Sequence, residues 1–431
     1  MTTKEIYRLY KKYPTITTDT RHCIQGSIFI ALKGDNFNGN KFARTAIESG
    51  CEYAFVDEKE YADNHKILLM DKPGVETLQE LANYHRRQFN IPVIAITGTN
   101  GKTTTKELIA AVLSQGHKVL YTQGNMNNHL GVPLTLLRMN GEHSIAIIEM
   151  GANHPGEIET LCKIAEPTFG LITNVGKAHL EGFGSFEGVI RTKGELYAFL
   201  QQHGGKVFLP GDNPYLSELA RGFETITYGK KETNTIIGKV ESCSPYLTYQ
   251  WKVRGGKYIY TVSTQLIGTY NLDNVLAAIT VGRYFGILPN LINKAISEYV
   301  PNNNRSQLKK SDKNTLIIDA YNANPESMRV ALENFEAIPD EHKVLILGDM
   351  KELGEQSDIE HQHIANLATQ GNYETMFLIG ENFGKVKCDI ANKFPTTEAF
   401  HQWLSAYPLN QKTILIKGSR GMKLESLLDL L

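Results

Sequence analysis

Between Ile94 and Thr105 an apolar run, Ile94-Ala95-Ile96, passes straight into Thr97-Gly98-Thr99-Asn100-Gly101-Lys102-Thr103-Thr104-Thr105. A buried strand that turns through two glycines into a helix beginning at Lys-Thr is the signature of an α/β sheet carrying a phosphate cradle. Gly98 and Gly101 let the backbone fold tightly enough for successive N–H groups, including those of Thr99, Asn100 and Thr104, to converge on phosphate oxygens. The helix, read from Lys102 to about Ser114, points its positive dipole end at the same oxygens. Lys102 supplies a point charge to the terminal phosphates, and the Thr103 hydroxyl is placed to ligate Mg²⁺. The general pattern wants a further glycine five residues before Gly101, where this chain has Ile96. A nucleoside triphosphate is the expected ligand.

A length of 431 residues suits about three domains. Lys plus Arg total 45 against 46 Asp plus Glu, a formal net charge of -1, so no overall basic field points to nucleic acid or to a membrane surface. Any anion site has to be built locally. The five cysteines, Cys23, Cys51, Cys162, Cys243 and Cys388, show neither CxxC nor Cys/His spacing and read as reduced structural thiols of a cytoplasmic protein. The polar, charged start has no apolar core of a signal peptide, and no spanning segment is visible.

Residues 1–90 carry short strand-like runs at 27–32, 53–56 and 67–70 and helical stretches at 41–49 and 75–88, which predicts a small α/β domain. From 91 to 302 apolar strands at 119–123, 145–150, 169–175 and 206–209 alternate with helical patterns, the rhythm of a doubly wound, mostly parallel sheet. Residues 225–268, richer in Thr, Tyr and Val, predict an appended antiparallel patch. A turn-rich linker at 301–304 leads to a third, Rossmann-like domain over 303–431, with strands at 315–321, 343–347 and 413–417.

Several polar clusters fall at strand ends, where open α/β sheets bind ligands. Glu149 closes the run Ile145 to Ile148, and an acid there in a P-loop sheet holds or orients the metal; the alternative is a solvated carboxylate. His179 lies beyond another strand and reads equally as a structural loop histidine or a ligand. Asn125, Asn127 and Asn128 suit either a polar substrate or an Asx turn. Asn271, in Tyr270-Asn271-Leu272-Asp273-Asn274, opens a helix and could serve as its N-cap.

Taken together, Thr97 to Thr105, Glu149-Met150-Gly151-Ala152, Ala178-His179 and Asn271-Leu272-Asp273-Asn274 resemble the Mur ligases, ATP-dependent amide-forming enzymes of peptidoglycan synthesis. The resemblance spans all three domains. Thr18-Asp19-Thr20-Arg21, Gly124 to Asn128, Tyr321-Asn322-Ala323-Asn324-Pro325, Gly348 to Gly354 and Lys417-Gly418-Ser419-Arg420 point within that family to the branch that adds a dipeptide. The diaminopimelate- or lysine-adding relatives carry Asp-Asn-Pro-Arg in the third domain; here Asp212-Asn213-Pro214 is followed by Tyr215 and lies in the central one.

The resemblance implies a transfer of the γ-phosphoryl group of ATP to a substrate carboxylate, followed by attack of an amine, with UDP-N-acetylmuramoyl-tripeptide and D-alanyl-D-alanine as partners and a monomeric enzyme. It implies two Mg²⁺ ions, one on Thr103 and Glu149, the other on His179 and on Lys193, the latter carbamylated. Lys102 and Arg305 would act on phosphate, Asp319 on ribose, and Asn271 and Asn274 on the adenine side. Thr18, Asp19 and Arg21 would grip the uridine diphosphate, with Asn127 and Asn128 also facing substrate. Asn322, Asn324, Ser419 and Arg420 would face the dipeptide. Two other readings stay open: another amide-forming ligase of the superfamily, such as a folylpolyglutamate synthase, whose relatives lack the first domain, and a P-loop NTPase without ligase activity.

Overall fold

The computed structural model describes residues 1–63, 65–301 and 305–431. The expected boundary between 302 and 303, and most of the linker around it, lie outside the described residues. Three main sheets follow one another along the chain. The first is parallel, with strands in the order Ile16–Thr17, Ile28–Ile30, Tyr53–Val56 and Ile67–Leu69. Its last helix, Gly74–Arg86, packs against the first helix, Thr3–Tyr10, and against helices of the central layer. The His85 ring meets the Met139 carbonyl at 2.8 Å, and Arg86 Nε donates to the Ala165 carbonyl at 3.1 Å. One apolar core therefore runs from Ile6 through Leu78 and Leu81 to Leu216 and crosses residue 90 without a break.

The central sheet has nine strands, and its middle is where the site is made. Val93–Thr97 is buried at every position, as a parallel strand covered on both faces must be, and it lies between Phe169–Ile172 and Ile145–Glu149. The chain winds outward on one side through Val119–Tyr121 and on the other through Lys206–Pro210, so the order reverses beside Val93–Thr97. A crevice opens at the carboxyl ends of strands at such a reversal. The antiparallel patch begins later than the composition suggested. Thr225–Gly229 pairs parallel with Lys206–Pro210, and only Ile236–Cys243, Tyr246–Val253 and Tyr260–Ile267 form antiparallel pairs, continuous with the same sheet. Asn213 of the Asp-Asn-Pro run caps the helix Pro214–Leu219, its Oδ1 accepting from Leu216 N at 3.1 Å.

The third sheet has six strands where three were expected. Thr315–Asp319, Lys343–Gly348 and Thr413–Lys417 form its buried middle, and Gln307–Lys310, Thr375–Ile379 and Asn392–Phe394 complete it. The edge strands Gln307–Lys310 and Asn392–Phe394 are short, polar and partly exposed, so they carry little of the apolar signal by which a strand is found in a sequence.

Candidate active site

The predicted cradle forms, and its glycines are required by what surrounds them. Gly98 has φ 138° and a Cβ there would stand 2.0 Å from Thr173 Oγ1; Gly101 has φ 78° and a Cβ would stand 2.6 Å from Asn274 Oδ1. Asn174 ties the turn from the neighbouring strand end, its Oδ1 accepting from Asn100 N at 2.9 Å. Lys102 begins the helix Lys102–Leu113 and folds back over the turn, Nζ donating to the carbonyls of Gly98 at 2.7 Å and Thr99 at 3.0 Å. Burial pushes the Lys102 ammonium down to about 8, with Glu149 opposing and Arg305 reinforcing the shift.

Glu149 is opposite Ile96 in the ladder and fully buried. Its Oε1 accepts from Thr103 Oγ1 at 3.1 Å and from Asn127 Nδ2 at 2.8 Å. Its Oε2 is buried with no hydrogen-bond partner among the described residues, and Lys106 Nζ stands 4.0 Å from it. A carboxylate oxygen left unpaired beside a threonine hydroxyl is a donor set that fits a hard divalent cation. Lys106 went unnoticed in the sequence. It lies four residues after Lys102 on the same helix, it is fully buried among Thr103, Thr105 and the apolar run from Leu108 to Leu113, and it donates to the Thr122 carbonyl at 2.7 Å. The signal available was a lysine among the core positions of that helix.

His179 and Lys193 converge on the same region from the loop after Phe169–Ile172 and from the helix Phe186–His203. Phe183 is wall to both: its ring centroid is 6.1 Å from that of His179 and 5.1 Å from Lys193 Nζ. Lys193 is 2 % exposed and donates to the Ala152 carbonyl at 3.3 Å. Burial, reinforced by Lys102, brings its ammonium down to about 7. The His179 imidazole is lowered too, by burial first, with Glu352 opposing.

The C-terminal domain closes the other wall of a cavity of about 1380 Å³. Arg305, Asp319, Asn322 and Asn324 line it together with Thr99, Lys102, Glu149, His179, Asn271 and Asn274. Arg305 lays its guanidinium 3.8 Å above the Tyr321 ring, and its buried Nε has no hydrogen-bond partner among the described residues. Asp319 accepts from Lys417 Nζ and, at 3.2 Å, from Ser306 N. Asn324 caps the helix Pro325–Glu336 and sends its Nδ2 across to Asn100 Oδ1 at 2.9 Å, joining the two domains at the cradle itself.

Other expected residues are spent locally or sit apart. Asn271 does not cap its helix; its Nδ2 donates to the Ile267 carbonyl at 2.8 Å and its Oδ1 accepts from Asn274 Nδ2 at 2.8 Å, while Asn274 Oδ1 accepts from Thr105 Oγ1 at 3.0 Å. Asn128 lines the cavity but forms the Asx turn, accepting from Gly131 N at 2.9 Å. Ser419 is buried and receives Lys351 N on its Oγ at 2.9 Å, and exposed Arg420 approaches Tyr321, guanidinium to centroid 5.3 Å; neither lines the cavity. Thr18, Asp19 and Arg21 lie outside the cavity in the first domain, where Arg21 Nη2 meets Asp19 Oδ2 at 2.6 Å.

A triphosphate cradle, a buried acid beside it and a second domain closing over both are the parts of an enzyme that carries a phosphoryl group between two substrates. Residues 96–282 match the Mur ligase middle domain and residues 304–420 match the domain described as Mur ligase, glutamate ligase domain. The chain belongs to the Mur ligase family. It is 35% identical over 424 residues to the UDP-N-acetylmuramoyl-tripeptide–D-alanyl-D-alanine ligase of Bacillus subtilis, an alignment covering 96% of this chain and 92% of that one. A crystal structure of MurF from Acinetobacter baumannii superposes with a TM-score of 0.86 at 29% identity, covering 96% of this chain and 92% of that one. The MurF ligase of Thermotoga maritima in complex with ADP gives 0.85 at 26%, covering 96% of each.

Proposed function

We propose that this chain joins D-alanyl-D-alanine to UDP-N-acetylmuramoyl-tripeptide at the expense of ATP, a step in building peptidoglycan precursors. The observation that carries this reading is the shared cavity, in which the cradle of the central sheet faces Arg305, Asp319, Asn322 and Asn324 of the C-terminal domain. A carboxylate oxygen of the tripeptide attacks the γ-phosphorus as the bond to ADP breaks, and the dipeptide amine then attacks the acyl carbon, expelling phosphate and losing a proton. Lys102 and Arg305 bring positive charge to the place where triphosphate and carboxylate repel each other.

Asp319 is assigned to ribose and the Asn271–Asn274 pair to the adenine side. Asn322 and Asn324 face the dipeptide, and Ser419 acts through the turn that carries Arg420. Asn127 and Asn128 border the tripeptide, whose uridine diphosphate is assigned to Thr18, Asp19 and Arg21. Thr103 and Glu149 would hold one Mg²⁺, and His179 with a carbamylated Lys193 a second; bound there, the ions would neutralise developing charge on phosphate. Carbamylation needs a neutral amine, whose nitrogen bonds to CO₂ and loses a proton, and the depressed Lys193 ammonium supports it. In this reading residues 1–90 serve the sugar nucleotide, 91–302 ATP and 303–431 the amine. In the same reading the enzyme is a monomer. No helix among the described residues is long and apolar enough to cross a membrane, in keeping with a cytoplasmic assignment.

Phosphate release will require both the tripeptide nucleotide and the dipeptide, measured by coupled assay. Comparable turnover with ATP alone would favour an NTPase, and turnover with a folate acceptor the other ligase. Arg21→Ala is expected to weaken the tripeptide nucleotide roughly ten- to a hundredfold in Kd while leaving ATP within about twofold. Equal losses for the two ligands in calorimetric titrations would remove Arg21 from the diphosphate.

A further inference from the structure

The His179 side chain is met from the other domain. Its Nδ1 donates to Glu352 Oε2, a contact that joins residues 173 apart in the chain, and both residues hold left-handed backbone, φ 51° at His179 and 62° at Glu352. Such conformations are unfavourable for residues with a Cβ and persist where the surroundings over-determine them. The surroundings of Glu352 do so. Asp349 is buried and accepts from Asn382 N at 3.0 Å and Phe383 N at 2.9 Å. Met350 N donates to His361 Nε2 at 3.0 Å and Lys351 N to Ser419 Oγ at 2.9 Å, so three successive residues are pinned immediately before Glu352. Two residues on, a Cβ on Gly354 would stand 3.5 Å from Glu181, just past the histidine, and Lys177 Nζ reaches Glu360 at 3.2 Å just before it. The C-terminal domain thus presents one carboxylate to one ring nitrogen from a rigid turn.

We propose that Glu352 is a positioning residue for the second cation, fixing the His179 tautomer that leaves Nε2 free to ligate. A histidine ligand whose other N–H is held by a carboxylate is oriented and made more basic, and loss of such a partner weakens metal binding about ten- to a hundredfold. Because the carboxylate sits on the other domain, the ligand is completed only when the two domains are docked. The inference rests on His179 being a ligand of that ion. Ser419, which lies outside the cavity, gains a role here through the Lys351 turn.

The test uses the full chain with a non-hydrolysable ATP analogue and Mn²⁺ as probe, free Mn²⁺ being counted by electron paramagnetic resonance. Glu352→Ala should keep the tighter ion and weaken the second about tenfold or more. In ¹⁵N-histidine spectra the His179 signals should lose their single tautomer, and Glu352→Gln, which retains an acceptor oxygen, should keep it. Melting curves establish that each variant is folded. If His179→Ala weakens the second ion and Glu352→Ala leaves both the ion and the tautomer unchanged, the inference is overturned while the ligand assignment stands. If His179→Ala itself leaves both ions in place, the ligand assignment falls, and the inference with it. A change confined to domain closure in small-angle scattering, with second-ion affinity intact, would make the pair a latch and overturn the positioning role.

Discussion

If Lys193 carries the proposed carbamate, Lys193→Ala is expected to reduce turnover at least about a hundredfold without unfolding the protein, since the variant then removes an anionic ligand from the place where phosphate charge develops. Acetate or formate should restore part of the activity by occupying the vacated position. Lys193→Arg should fail and resist rescue, because a guanidinium keeps its charge and fills the space. The pH dependence follows from the same group. Burial brings its ammonium down to about 7, so below that pH the protonated amine cannot take up CO₂; activity should fall as pH drops through that value and return when the pH is raised again with bicarbonate present. A labelled carbonyl signal from ¹³C-bicarbonate, present in the native chain and absent from Lys193→Ala, provides the direct check. Near-normal activity of the alanine variant would return Lys193 to the role its surroundings also allow, an amine buried against Phe183 and the Ala152 carbonyl.

Glu149→Ala should damage stability and catalysis together. It removes the acceptor for Thr103 and Asn127 and strands the Lys106 ammonium, fully buried and 4.0 Å from the missing oxygen. Breaking a buried ion pair by removing one partner costs about 3–5 kcal/mol. Lys106 retains the Thr122 carbonyl and Glu107, so the lower end applies, and for the central sheet the melting temperature should fall by roughly 6–12 °C. Adding Lys106→Met should recover more than half of that loss, because a buried ammonium no longer has to be held without Glu149, while activity stays about a hundredfold or more below the native level. An unchanged melting temperature in Glu149→Ala would mean that water or another group already satisfies Lys106. Full activity in the double variant would take the metal away from Glu149.

The parts of the molecule that could be read in advance are those whose chemistry is local. The cradle from Thr97 to Thr105 announces itself because strand, glycine turn and helix start are contiguous, and Glu149 is legible as an acid closing an apolar run, which places it at the carboxyl end of a strand but does not tell whether it is solvated or buried. Most of the buried middle strands fall where their unbroken apolar runs placed them; Thr375–Ile379, buried at four of its five positions, goes unrecognised despite such a run. Edge strands such as Gln307–Lys310 escape because one side of them faces water and their composition is that of a loop.

Burial of Lys106 and Lys193 does not follow from composition, since lysine is ordinarily a surface residue; for Lys106 the one trace in the sequence is its place among the core positions of its helix. The amides of Asn271 and Asn274 looked available and are tied to the chain around them. Most of all, the contacts that assemble the site join Asn100 to Asn324 and His179 to Glu352, 224 and 173 residues apart. A hydrogen-bond partner at that distance leaves no trace in the pattern of either segment. It exists because the third domain docks on the second, and docking is settled by surface shape and by turns such as Asp349 to Glu352 that only the folded chain holds in place.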